Sequence, residues 1–166
     1  MNHRTNGILR SEELAGRLPS NERLNLGPIA VIECVENIPC NPCVDACPRG
    51  AITIDGDING TPSVDDEKCN GCTVCLSACP GLAIFVVNAA GEGGMGSVSL
   101  PYEYRPLPAR DERVDAVDRE GEVICEARVT RVLDSKALDR TPIVTVELPR
   151  EHVMDVRHFR RRSQAP

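Results

Sequence analysis

The chain has 166 residues, 41% of them hydrophobic, a net charge of −6 at pH 7, and only two Phe, two Tyr and no Trp. That length holds one ordinary domain or two small ones, and so few rings leave little bulk for a core, so some further cross-link must contribute to stability. No apolar run approaches the about 20 residues that span a bilayer, and the acidic balance argues against a nucleic-acid reader, which would carry basic residues along its binding face.

In chain order, residues 1–27 form a polar N-terminal arm without the apolar centre of a secretion signal. The expected location is therefore cytoplasmic, where clustered cysteines bind metal or do redox chemistry more often than they form disulfides. Residues 28–90 carry the whole charge imbalance, with Arg49 and Lys68 set against eight acidic residues. Such a segment suits docking on a basic partner surface, or serves solubility alone. Ile29-Ala30-Val31-Ile32 reads as a strand. A first helix is expected over Cys43–Cys47 and is stopped by Pro48. An extended stretch follows at 51–54, then turns at Asp55-Gly56-Asp57 and Asn59-Gly60. A short extended piece at 62–64, a second helix near 75–78 and a strand at 82–87 complete the segment.

The segment is an internal repeat. Cys40, Cys43 and Cys47 each precede Cys72, Cys75 and Cys79 by 32 residues, and each copy continues Ala-Cys-Pro and then an apolar strand. Cys34 precedes Cys69 by 35, so the first copy holds a three-residue insertion after its first cysteine. Eight thiols packed this way suit zinc poorly, because zinc ribbons separate their two CxxC pairs by many residues. A disulfide framework fits less well still, since it needs an oxidising compartment and wider geometry.

The run Cys69-Asn-Gly-Cys72-Thr-Val-Cys75-Leu-Ser-Ala-Cys79-Pro80 resembles the cysteine signature of bacterial-type ferredoxins that hold two [4Fe–4S] clusters. The resemblance implies an α+β fold, with a pseudo-two-fold ferredoxin-like domain over 28–90. It further implies that the last cysteine of each run serves the other cluster. Carried over, Cys69, Cys72, Cys75 and Cys47 would hold one cluster, and Cys34, Cys40, Cys43 and Cys79 the other. The first copy departs from the family pattern, with five residues between Cys34 and Cys40 where two are expected. A [3Fe–4S] cluster on Cys40, Cys43 and Cys79 therefore stays open. Backbone N–H groups around Asn41 and Asn70-Gly71 would raise the cluster potentials and the acidic surroundings would lower them; a low potential is expected.

Residues 91–97 read as a glycine-rich linker. Strand-like stretches follow at 98–104, 113–117, 122–133 and 143–148, with a hairpin turn at Asp118–Gly121. They predict a small antiparallel β module over 98–156. Cys125 lies on the apolar side of an alternating strand and is expected to be a buried, inert thiol. Residues 157–166 are a basic tail, either solvated or in contact with an acidic partner. His3, His152 and His158 stand near no nucleophile or second ligand in sequence, and no flavin or nucleotide fingerprint occurs.

The expected function is electron relay, with no substrate bond broken on this chain. The phrases IECVENIPCNPCVDACP, PYEYRPLP and LDRTPIVTVELP resemble ferredoxin-like subunits of heteromeric flavin-dependent amino-acid or amine dehydrogenases of the proline or hydroxyproline type. That resemblance implies a flavoprotein dehydrogenase partner in a hetero-oligomer. The alternatives are a free, diffusing ferredoxin-type carrier, or an interaction protein whose clusters are structural or sense oxygen.

Overall fold

The computed structural model describes residues 3–162. Among the described residues, nine strands and four short α-helices alternate with 3₁₀ turns. The helices are α1 (His3–Asn6), α2 (Asn21–Leu24), α3 (Pro42–Ala46) and α4 (Val74–Ala78). The strands are β1 (Ile29–Ile32), β2 (Ile52–Thr53), β3 (Ser63–Val64), β4 (Ile84–Asn88), β5 (Met95–Pro101), β6 (Arg113–Val117), β7 (Val123–Leu133), β8 (Ile143–Pro149) and β9 (His158–Arg161). No described helix is long and apolar enough to cross a membrane.

Seven strands make one antiparallel sheet in the order β1-β4-β5-β8-β7-β6-β9, while β2 and β3 pair separately. The sheet has two cores. Ile29 and Val31 of β1 and Val87 of β4 face a large core with Val98, Leu100, Val114, Val129, Val144, Val146, Leu148 and Phe159. Ala30 and Ile32 of β1 and Ile84 and Val86 of β4 face a smaller core with Cys43, Ile52, Cys75 and Leu76. Alternate side chains of a strand leave by opposite faces, so β1, buried at all four residues, serves both cores. A strand covered on both sides reads as an unbroken apolar run, which IAVI is.

The expected linker at 91–97 is a hairpin connection. The chain makes a 3₁₀ turn at Glu92–Gly94 and enters β5 at Met95, pairing Asn88 with Ser97. The glycines serve close packing here: a Cβ on Gly96 would lie 2.7 Å from the Asn88 carbonyl and 2.6 Å from Val153 Cγ1. The β strands after it therefore extend the same sheet that carries β1 and β4.

The basic tail also takes a different form. Arg157 is buried, and residues 158–161 form edge strand β9 along β6. The Phe159 ring is 3% exposed and stacks on Tyr102 at 5.0 Å between centroids. Within β9 the Phe159 ring enters the core while the next residue, Arg160, stays exposed. Residues 163–166 of the expected tail lie outside the described residues. The N-terminal arm is tied down where described: Leu14 and Leu24 are buried, and Arg17 Nη2 donates to the Pro62 carbonyl at 3.0 Å. Cys125 is half-buried in β7 opposite Ala116, against the large core. Its strand begins outside that core, with Val123 exposed, where a bulge at Ala116/Val117 breaks the register.

If β9 is part of the sheet, Phe159→Ala costs about 3–5 kcal/mol, the range for emptying a buried phenylalanine site. Thermal unfolding of the iron-loaded protein checks this; a free tail predicts no change.

Candidate metal centre

Two five-residue helices position the thiols. Pro42 opens α3, where a fixed φ and a missing N–H cost nothing. In the second copy the approach to α4 is left-handed, with Gly71 at φ 66 and Thr73 at φ 71. Gly71 is required on two counts. Its φ disfavours a side chain, and a Cβ there would lie 2.5 Å from Pro28 Cβ. The two helices pack on one another and on the small core, and each contributes a buried thiol, Cys43 and Cys75.

Seven of the eight cysteines of the repeat fall into two groups that cross between the copies. Cys47, Cys69, Cys72 and Cys75 line one recess, walled by the apolar side chains of Ala30, Ile52 and Val86. Burial pushes the Cys75 thiol up to about 12, and the neighbouring Cys69, Cys72 and Cys47 add to the rise. In the other group burial pushes Cys43 up to about 11, with Cys79 and then Cys40 as its sulfur neighbours. Thiols in such surroundings keep their protons unless a cationic metal centre replaces them. Cys72 is exposed at the surface, while Cys69 is half-buried.

Backbone N–H groups supply the remaining polarity. Ala51 N–H donates to Cys47 Sγ at 3.3 Å, and Ala83 N–H to Cys79 Sγ at 3.5 Å. These bonds are equivalent in the two copies, since Ala51 and Ala83 are 32 residues apart, each four after its cysteine. Ala30 N–H, on β1, donates to Cys69 Sγ at 3.4 Å. Burial, the largest single effect on Cys47, opposes ionisation, but the N–H groups of Ala51, Arg49, Ile52 and Gly50 together outweigh it and leave the thiol below its ordinary value. The donors to sulfur thus include β-strand and post-helix peptides that spacing alone did not single out.

Cys34 packs against the small core. The N–H of its neighbour Glu33 donates to the Ala83 carbonyl at 2.8 Å, and Ala83 is the residue whose own N–H reaches Cys79. Arg23, in the N-terminal arm, is a residue that sequence reasoning missed. Its guanidinium donates to the carbonyls of Asp66 at 2.7 Å, Cys69 at 2.8 Å, Gly27 at 3.2 Å and Pro28 at 3.3 Å, fastening the start of the second cysteine run. Nothing in the local pattern NERL marks it.

Among the described residues, no three His, Cys, Asp or Glu side chains gather as one bound metal ion requires. The histidines stand apart from the sulfurs: His3 pairs with Glu13, and His158 stacks on Tyr102. Thiols arranged around an apolar-walled recess, with N–H groups aimed at sulfur, fit an extended iron–sulfide body. Cysteine thiolates are its usual ligands, and hydrogen bonds to sulfur tune it.

The chain's cysteine segment is thus an iron–sulfur module by its donor set. Residues 34–83 match the 4Fe-4S dicluster domain family, and this segment is a bacterial-type 4Fe–4S ferredoxin domain. The chain is 41% identical over 54 residues to a polyferredoxin-like subunit of an aliphatic sulfonate oxidoreductase of Pyrococcus furiosus, covering 32% of this chain and 28% of that protein. It is 43% identical over 61 residues to an uncharacterized ferredoxin of Methanocaldococcus jannaschii, covering 37% and 36% respectively. It is 40% identical over 65 residues to a sulfite dehydrogenase subunit of Allochromatium vinosum, covering 39% and 25%. The matched stretches thus span about a quarter to a third of these relatives. No solved structure matches the chain.

Gly71→Ala is expected to lose the iron held beside Cys69, Cys72 and Cys75. The left-handed φ alone costs about 1–2 kcal/mol for a side-chain-bearing residue, and the Pro28 clash adds to it. Iron and sulfide analysis against the parent checks this.

Proposed function

We propose that this chain relays single electrons through two [4Fe–4S] clusters, as a non-catalytic subunit of a larger oxidoreductase in a reducing compartment such as the cytoplasm. The observation that carries the reading is the crossing of the thiols: Cys47 lies with Cys69, Cys72 and Cys75, and Cys79 lies with Cys40 and Cys43. In this reading the first four thiols hold one cluster, and Cys40, Cys43 and Cys79 with Cys34 hold the other. When bound, each cluster supplies a centre that takes up and gives back one electron with little rearrangement.

The protein's part is placement and shielding. α3 carries Cys43 for one site, and Cys47, the extended residue that ends the helix, serves the other. Cys75 on α4 and Cys79 just after it repeat the exchange, so the two sites adjoin and make a short path. Apolar walls of Ile52 and Val86 limit water, which keeps charge costly and the potential sensitive to nearby dipoles. The exposed Cys72 gives one site an opening to a partner, and the acidic excess of residues 28–90 as a whole favours a basic docking surface.

The subunit role is supported by relatives whose names place them in assemblies, a polyferredoxin-like subunit and a sulfite dehydrogenase subunit. The kind of partner is finer still. The resemblance to subunits of flavin-dependent amino-acid or amine dehydrogenases points to a flavoprotein, which would take two electrons from a substrate and pass them on singly. Natively purified, tagged protein should elute in a large complex with flavin absorbance. A particle near 18 kDa would instead favour a free carrier.

Two outcomes test the clusters. Anaerobically prepared protein should hold about eight irons with matching sulfide, and both centres should reduce and reoxidise reversibly in an EPR-monitored titration. Cys47→Ser should abolish the same EPR signal as Cys72→Ser, and Cys79→Ser the same one as Cys40→Ser. Loss of signals within each copy instead would refute the exchange.

A further inference from the structure

The loop between Cys34 and Cys40 holds the residues that depart from the ferredoxin spacing. Glu36, Asn37, Ile38 and Pro39 are all exposed. The one side-chain hydrogen bond described for them joins Asn37 Nδ2 to the Asn59 carbonyl at 3.3 Å. A loop so weakly held cannot fix where Cys34 sits, so the position must be set from the residue before it.

That residue, Glu33, is a carboxylate held by two guanidinium groups. Its side chain is 8% exposed. Arg119 grips it with two hydrogen bonds, Nε to Oε2 at 3.0 Å and Nη2 to Oε1 at 2.5 Å. Arg157 adds Nε to Oε1 at 2.6 Å. Both cations are themselves fixed. Arg157 Nη1 donates to the carbonyls of Val156 at 2.6 Å and Val153 at 3.4 Å, and its guanidinium lies 5.0 Å from the Phe85 ring centroid. Arg119 Nη2 reaches the Met154 carbonyl at 3.3 Å. Arg119 stands in the β6–β7 turn and Arg157 just before β9, so the strands that follow the ferredoxin domain provide both. The backbone of the same residue points inward, Glu33 N–H to Ala83 O and Ala83 N–H to Cys79 Sγ.

We infer that Arg119 and Arg157 act through Glu33 as a clamp that positions Cys34 as the fourth thiol of the Cys40, Cys43 and Cys79 site. The inference rests on the two-cluster reading above. Bidentate, desolvated guanidinium–carboxylate geometry gives the directional hold this needs. The clamp makes good the extra loop residues, and it gives the C-terminal strands a task at the metal site. Glu33, Arg119 and Arg157 are positioning residues, since none supplies a ligand atom.

The test compares Glu33→Gln, Arg119→Gln and Cys34→Ser in the full, iron-loaded chain. The parent should hold about eight irons and be EPR-silent when oxidised. Glu33→Gln should fall to about seven irons and gain the sharp signal of an oxidised three-iron centre, with the other cluster's reduced signal kept. Cys34→Ser should show the same signature. If Cys34→Ser gives it and Glu33→Gln matches the parent, the clamp is wrong and the ligand set stands. If Cys34→Ser keeps about eight irons, the ligand set fails and the clamp with it. Equal loss from both clusters in Glu33→Gln would show a merely structural role and also overturns the clamp. Should Glu33→Gln not fold, Arg119→Gln decides by the same readout, because it keeps the neutral Glu33–Arg157 pair.

Discussion

The antiparallel pairing of β1 with β4 is the constraint on which the rest of the protein is built. Ile29 stands opposite Val87 and Ile32 opposite Ile84, and each strand sends alternate side chains into different cores. One core holds α3, α4 and their thiols, and the other holds side chains of β5 to β9. Neither core can be completed without these two strands, since both count them among their buried residues. Fully buried Ile29, Val31, Ile32, Ile84, Val86 and Val87 each contribute about 1.5–3 kcal/mol, the range for burying such a side chain. Their burial also makes the metal-bearing part and the sheet one cooperative unit.

The duplicated helices impose a second dependence. Cys47, just after α3, lies with the thiols of the second copy, and Cys79, just after α4, lies with Cys43 and Cys40 of the first, so each group of thiols draws on both copies. Where ligands must lose protons and come together from distant segments, metal affinity and folding free energy are one quantity. The raised Cys43 and Cys75 thiols, pushed up first by burial, show the cost on the protein's side. The site is assembled in a place where bare thiolates are disfavoured, so the bound metal and the N–H donors of Ala30, Ala51 and Ala83 must make the difference.

Much of this was legible in the residues. The offset of 32, the closing prolines and the spacing of Cys69 to Cys79 announce the chemistry, because few structures other than an iron–sulfur cage use thiols so densely. The strands at 113–117 and 123–133 follow from alternation of Val, Ala and Ile with charged residues. What stayed hidden depends on distance along the chain. Glu33 meets partners 86 and 124 residues away, and no local pattern encodes that. The glycines at 91–96 read as flexibility because composition does not distinguish a loose linker from a turn pressed against Val153. Residues 157–162 read as a solvated tail because five of the six are basic, and charge masks a single inward ring at Phe159. The double role of β1 did leave a signal, four apolar residues with no polar alternation, which suits a wall between two cores better than the edge of a half-exposed sheet.

An open sheet ends in two strands with unpaired peptide groups, and such rims invite other chains to add on. Here the two rims are blocked by unlike means. Along β9, Arg160 is exposed and Arg161 is paired with Glu112, so this rim presents charged side chains rather than an apolar edge. Along β1 the Ala30 N–H is taken by the Cys69 sulfur. The Cys69 sulfur, one of the thiols of the recess, therefore also closes part of the rim of a short, uncharged and apolar strand that would otherwise be open to another chain.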